Sequence, residues 1–232
     1  MKTILLPVAL CVAGCAAVAF ADEFTVRREV MVRETIELRG IEDPTTLRAM
    51  RAVERHKFVE PNMTRLAYAD RALPIGYGQT ISQPYIVAAM TEMLQVGEGD
   101  VVLEIGAGSG YQAAVLAEIV QHVYTIEIVP QLAQLSGRRM EELGYDNVTV
   151  KAGDGYYGWE KHAPFDGIIV TAAATHIPPP LVEQLKPGAR MVIPVGPPMQ
   201  VQHLMIVEKQ DDGTVSQRSV MPVRFVPLTG ER

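Results

Sequence analysis

The run Val101-Val102-Leu103-Glu104-Ile105-Gly106-Ala107-Gly108-Ser109-Gly110, continued by Tyr111-Gln112-Ala113-Ala114-Val115-Leu116, constrains this chain more than any other stretch. Apolar, β-branched residues come first, then glycines at alternate positions, then good helix formers, a pattern of strand, tight turn and helix start. Gly106, Gly108 and Gly110 let the backbone pass close to a ligand where a Cβ would collide, and they permit positive φ in the turn. The helix N-terminus that follows offers free N–H groups to a carboxylate or phosphate. This is the first half of an α/β nucleotide site.

The residues downstream extend the pattern. Strands are expected near 101–105, 122–128, 148–152, 166–172, 190–195, 201–209 and 217–226, with helices near 111–119, 130–143 and 179–185 between them. Strands that alternate with helices build a parallel, doubly wound sheet. The last two strands are joined by Asp211-Asp212-Gly213, a hairpin signal, with no helix between them. The expected fold is α/β: a seven-stranded, mostly parallel sheet with an antiparallel edge hairpin, an ending that resembles the methyltransferase version of the Rossmann-like architecture.

Upstream, helical spacing over Thr25–Leu38 stops at Gly40, and Asp43-Pro44 supplies an N-cap and first-turn proline for a second helix to about Val53. An irregular stretch from Ala67 to Ile81, carrying Pro74, Gly76 and Gly78, precedes a helix that Gln83-Pro84 opens and that runs to about Leu94. A loop of that length beside a catalytic-type core is usually functional or mobile. Three segments are expected: a leader over 1–21, a helical extension with a substrate loop over 22–95, and the core over 96–232.

The leader has its own signature. Lys2 precedes an apolar run from Ile4 to Ala21, Ala19-Phe20-Ala21 forms a small-residue cleavage site, and charge begins at Asp22, as in a secretory signal peptide. The same run is a marginal membrane anchor, since spanning takes about 20 residues, and Val12-Ala13-Gly14-Cys15 is similar to a lipoprotein cleavage box. An exported, periplasmic protein with no stable membrane span in its mature chain is expected, with a cytoplasmic location as the alternative. Both cysteines, Cys11 and Cys15, fall in this segment, which leaves the remainder without a disulfide, a thiolate nucleophile or a Cys-ligated metal. The histidines, His56, His122, His162, His176 and His203, show no metal-ligand spacing, so no metal is expected. With a net charge of −6 and no long basic run, the chain has no electrostatic hold on nucleic acid.

Glycine turns after a first strand serve both dinucleotide and S-adenosylmethionine enzymes, and spacing separates the two. A pyrophosphate binder uses Gly-x-Gly-x-x-Gly; here the order is Gly106-x-Gly108-x-Gly110, with Glu104 two residues ahead. An acid there repels a pyrophosphate but can receive the ammonium of a methionine moiety, unless it is merely a solvated strand-end charge. Glu127, at the end of the second strand, is placed to accept both hydroxyls of a ribose. Asp154, between Gly153 and Gly155 after the third strand, can accept from an adenine amino group or simply shape a turn. A dinucleotide-dependent oxidoreductase is the rival enzyme class.

Taken with Gly76-Tyr77-Gly78-Gln79-Thr80-Ile81-Ser82-Gln83-Pro84, the glycine turn with Tyr111-Gln112-Ala113-Ala114, Gly153-Asp154-Gly155, Pro164–Ala172 and Phe225-Val226-Pro227-Leu228-Thr229, the chain resembles the protein-L-isoaspartate (D-aspartate) O-methyltransferases from about Asp43 to Thr229. The Thr80-Ile81-Ser82 box is its most specific piece. The resemblance implies methyl transfer from S-adenosyl-L-methionine to the free carboxylate of isoaspartyl or D-aspartyl residues in damaged proteins and peptides; a monomer is expected, with the sequence leaving the oligomeric state open. It implies Ser82 as the catalytic residue and a cofactor set of Gln79, Thr80, Ile81, Ser82, Glu104, Gly106, Gly108, Gly110, Glu127, Asp154, Gly155 and Thr229. An exported binding protein without turnover, or a methyltransferase acting on another carboxylate, is the alternative. Ser82 itself has two uses open to it, as a hydrogen-bond donor to the substrate carboxylate and as a cap for the helix that follows.

Overall fold

The computed structural model describes residues 22–198 and 200–230, so the expected leader over 1–21 lies outside the described residues. Asp22 opens α1 (Glu23–Val30) by accepting from the Thr25 amide at 2.9 Å. The helix continues through a π-helical turn (Met31–Ile36) and a 3₁₀ turn (Glu37–Arg39) to Gly40, which ends it at φ +91°. Asp43 then caps α2 (Pro44–Ala52) by accepting from the Thr46 amide at 2.7 Å.

Seven strands form the central sheet: β3 (Val101–Ile105), β4 (His122–Glu127), β5 (Val148–Ala152), β6 (Phe165–Val170), β7 (Leu185–Val195), β8 (Gln202–Lys209) and β9 (Val215–Val223). A small separate pair, β1 (Leu73–Pro74) and β2 (Thr80–Ile81), lies ahead of them. The sheet order is β5-β4-β3-β6-β7-β8-β9, parallel from β5 to β7, with β8 antiparallel to both of its neighbours. The expected fold is therefore the observed one. The chain passes from β3 to β4 and β5 on one side, then returns to β6 on the other, so the carboxyl ends of β3 and β6 flank the reversal of strand order. In open α/β sheets ligands bind at that switch point.

Alternate residues along the strands feed two cores. Val102, Val123, Ile169 and Val192 face α3 (Pro84–Leu94), α4 (Tyr111–Ala117), α5 (Pro130–Leu143) and the N-terminal helices. Leu103, Ile105, Ile126, Ile168 and Met191 face the opposite side, with Leu181 of α6 (Pro179–Glu183) and with Phe165. Met31, Ile36, Met50 and Phe58 from the N-terminal region share the first core with α3 and α4.

Three details differ from expectation. Strand β7 begins at Leu185, ahead of Pro187-Gly188, because Leu185 already pairs with Phe165 before four residues bulge out and pairing resumes at Gly167 with Arg190. The last strand leaves the sheet at Val223, and the backbone of Val226 and Leu228 bonds Ala173 instead. The 67–81 stretch is more ordered than its composition suggests, since β1 and β2 close it as a hairpin with Tyr77 at φ +53° and Gly78 at φ +71° in the turn.

Candidate functional site

The glycine turn sits where β3 ends. Gly106 (φ +98°) donates its amide to the Ile126 carbonyl at 2.8 Å, and Thr171, just past β6, donates its hydroxyl to the Gly106 carbonyl at 2.6 Å. A Cβ on Gly106 would run into that same Thr171 hydroxyl. Gly108 (φ +52°) donates its amide to Glu127 Oε2 at 2.7 Å, and Val129 donates to the other carboxylate oxygen at 2.9 Å. Glu127 thus fixes the turn while keeping lone pairs for a ligand, since each carboxylate oxygen accepts more than one bond. Gly110 caps α4 at φ +89°, and its missing Cβ makes room for Met140 of α5, 2.7 Å from where a Cβ would stand.

Glu104 lies under the turn and is completely buried. One of its oxygens accepts from the Thr125 hydroxyl at 2.5 Å; the other has no partner among the described residues. Burial pushes its carboxyl up to about 8, with the bond from Thr125 opposing and the nearby Glu127 charge adding to the rise. A solvated strand-end charge is therefore ruled out. Asp154 accepts from the Tyr156 amide at 2.9 Å through one oxygen, and its other oxygen is also buried without a partner among the described residues. Gly230 crosses so close to that oxygen that a Cβ there could not fit.

Two cavities adjoin at this place. The smaller, about 50 Å³, is walled by Gln79, Thr80, Gly106, Gly108, Glu127, Gly155 and Thr229, together with Thr171. The larger, about 360 Å³, has Thr80, Ser82 and Thr171 on one side and Pro222–Val226 with Val201 on the other. A narrow space of about 30 Å³ between them is lined by Thr80, Ile81, Ser82, Gly106, Gly108 and Thr171. The structure thus brings the Thr80-Ile81-Ser82 box against the glycine turn. Glu104 supports this region from beneath, and Asp154 lines an adjacent open cleft with Gly153 and Tyr157.

Helix α3 does not use Ser82 as its cap. Its N-cap residue is Gln83, which makes no capping bond, and the Tyr85 amide bonds Asp70 at 3.1 Å. The same Asp70 carboxylate accepts from Gln83 Nε2 at 2.7 Å and pairs with Arg39 at 2.6 Å. Asp70, Thr171 and Arg55 are the contributors that sequence reasoning missed. Asp70 holds Gln83, the Tyr85 amide and Arg39, and Arg55 donates to the Ala67 and Ser82 carbonyls, partners far apart in sequence that no spacing rule registers; Thr171 stands immediately after a recognisable strand, where side chains face the switch point. Tyr68, in the same loop, is a packing group, buried against His56 with its hydroxyl 2.8 Å from Nδ1. Tyr77 is exposed at the hairpin tip.

Residues 26–232 match the family model described as protein-L-isoaspartate(D-aspartate) O-methyltransferase. The chain is 56% identical over 227 residues to protein-L-isoaspartate O-methyltransferase 2 of Syntrophobacter fumaroxidans, spanning 94% of this chain and 92% of that one. It is likewise 56% identical over 219 residues to protein-L-isoaspartate O-methyltransferase 1 of Nitrosospira multiformis, spanning 94% and 93%. Among solved structures, a protein-L-isoaspartate O-methyltransferase superposes with a TM-score of 0.79 at 29% identity over 88% of this chain and 66% of that longer one. A Plasmodium falciparum structure, described as a candidate member of the same enzyme class in complex with S-adenosyl-L-homocysteine, shares the fold with a TM-score of 0.73 at 24% identity over 90% of this chain and 99% of that one.

Proposed function

Because the chain belongs to the protein-L-isoaspartate(D-aspartate) O-methyltransferase family, we propose that its adjoining cavities transfer a methyl group from S-adenosyl-L-methionine to the free carboxylate of an isoaspartyl or D-aspartyl residue in a damaged protein. The observation that carries this reading is the shared wall: Thr80 and Thr171 line the glycine-turn cavity, the Ser82 cavity and the space between them. A donor in one and an acceptor in the other meet at that wall.

The glycine-turn side fits the donor. Two close-approach glycines, Gly106 and Gly108, border the cavity, and a buried oxygen of Glu104 and one of Asp154 lack partners among the described residues. Buried polar atoms without bonds are costly and call for a partner. Glu104 and Glu127 at the turn, with Asp154 in the adjacent cleft, suit a cationic group with hydroxyls and an amino group, and they oppose a pyrophosphate. When bound, S-adenosyl-L-methionine supplies a methyl group already activated on a sulfonium. Glu127 and Asp154 would hold its ribose and adenine, and Glu104 would answer its positive charge from below.

The chain's own residues then have a modest chemical task. A free aspartyl-type carboxylate, with a reference pKa near 3.9, is already ionised at neutral pH, so no general base is required. Orientation is the main need, and it can lower a barrier by about 7–11 kcal/mol in favourable cases. Ser82 is released from helix capping by Asp70, and its hydroxyl donates to the acceptor carboxylate and sets its line of approach. Once the methyl ester has formed, the neighbouring backbone amide nitrogen attacks it, methanol leaves, and the resulting succinimide hydrolyses in part to normal aspartate. Selectivity falls to the larger cavity, which must accept a backbone lengthened by one methylene.

A hydrogen bond to a charged group is worth about 1.5–3 kcal/mol, so Ser82→Ala is expected to lower kcat roughly 10- to 150-fold while S-adenosylhomocysteine affinity holds. Wild-type turnover in a folded Ser82→Ala protein would remove Ser82 from the mechanism. The apolar run up to Ala21 further supports export to the periplasm, where the enzyme would need its own supply of donor. Cell fractionation with N-terminal mass spectrometry tests this: a mature terminus at Asp22 is expected, and an intact Met1 in the cytosolic fraction would refute it.

A further inference from the structure

Arg55 is a completely buried arginine whose guanidinium pairs with no carboxylate among the described residues. Its Nε donates to the Ala67 carbonyl at 2.8 Å and one terminal nitrogen donates to the Ser82 carbonyl at 2.7 Å, while the other terminal nitrogen makes no bond to a carbonyl or carboxylate among the described residues. The guanidinium plane lies 4.7 Å from the centroid of the Tyr111 ring, the first residue of α4 after the glycine turn. Burying a charge this completely is expensive unless it is repaid by directed bonds. The two bonds it makes go to the beginning and the end of the segment that carries β1, β2 and the Thr80-Ile81-Ser82 box. Through Tyr111 the same side chain touches the donor-side helix.

We propose that Arg55 is a positioning residue for the reaction: it clasps the two ends of the 67–82 segment and so holds Ser82 at a fixed distance from the glycine turn. The inference rests on the role given to Ser82 above. Arginine suits the task because its rigid fork of donors reaches two carbonyls at once, which a lysine ammonium on a flexible stem does not. A group that only filled the core would not need a permanent charge there.

The test uses the full chain with Arg55→Met, which keeps apolar volume and loses both bonds, and Arg55→Lys, which keeps the charge. Expected are a kcat for an isoaspartyl peptide lowered roughly 10- to 100-fold in Arg55→Met, partial recovery in Arg55→Lys, and S-adenosylhomocysteine affinity within about threefold of wild type in both. Amide hydrogen exchange should quicken over 67–83 and stay unchanged over 101–116. The Arg55→Met/Ser82→Ala double variant should fall no further than the worse single variant, since both act at one group. Wild-type kcat in Arg55→Met overturns the proposal, as does a parallel loss of donor affinity with exchange raised throughout, which marks a merely structural role. Additive losses in the double variant overturn it too. If Arg55→Met does not fold, Arg55→Lys decides by the same kcat and exchange readings. Wild-type turnover in Ser82→Ala defeats the reading of Ser82 itself, whereas an impaired Ser82→Ala beside an unimpaired Arg55→Met defeats this inference alone.

Discussion

Among single residues Glu104 carries the clearest chemical signature. Its carboxyl, raised to about 8 by burial, holds a proton in the free protein at neutral pH. A folded-state value above the ordinary 4.5 means that the native state binds one more proton than the unfolded chain between those two values, so this group's contribution to stability falls as pH rises from about 4.5 to about 8 and is flat beyond. A cationic donor favours the ionised form, so binding should expel that proton. Calorimetry with S-adenosyl-L-methionine in buffers of different ionisation enthalpy at pH 7 should show about one proton released per donor bound. Glu104→Gln should bind more weakly and release correspondingly less; an unchanged release would remove Glu104 from donor binding. Gly106→Ala makes a second residue-level expectation. Its positive φ and the clash with the Thr171 hydroxyl should distort the turn and weaken S-adenosylhomocysteine binding by about tenfold or more, read by titration. That the glycines and acids gather at the carboxyl ends of β3, β4 and β5 was legible in the sequence, because it follows from local spacing. Arg55 was not, because its partners, Ala67 and Ser82, are joined to it only by the fold.

The element that borders the proposed acceptor cavity is the β1–β2 hairpin together with the start of α3. Proline and glycine punctuation over 67–81 pointed to an irregular loop, and the two short strands that order it are too brief to leave a periodic signal. Asp70 is what makes the arrangement specific, through Gln83, the Tyr85 amide and Arg39. The ion pair with the half-exposed Arg39 is worth little, so the capping bond and the Gln83 bond should dominate. Asp70→Ala is expected to cost about 1 kcal/mol of stability and to raise KM for an isoaspartyl peptide, with donor affinity retained. Thermal unfolding and steady-state kinetics check both halves; an unchanged KM would show that the hairpin keeps its position without Asp70. Strand β7 teaches a related lesson, since Pro187-Gly188 masks a strand whose first pair, Leu185 with Phe165, forms before the bulge.

At the scale of the whole molecule, the reversal of strand order at β3 and β6 brings Gly106 and Thr171 together, and the N-terminal helices share the core of α3 and α4. The alternation of strands and helices made this sheet readable in advance, down to its antiparallel edge. How the N-terminal region folds onto it was less so, because helix periodicity names an apolar face and leaves its partner open. The arrangement joins two cavities through one wall, and the proposed transfer depends on that junction. The most direct measurement is transfer of labelled methyl from S-adenosyl-L-methionine to two synthetic peptides that differ only in an isoaspartyl or a normal aspartyl linkage. Label should enter the isoaspartyl peptide, followed by methanol release and appearance of the aspartyl isomer, while the normal peptide stays at background. Equal labelling of both peptides, or none in protein that binds S-adenosylhomocysteine, would contradict the junction's role.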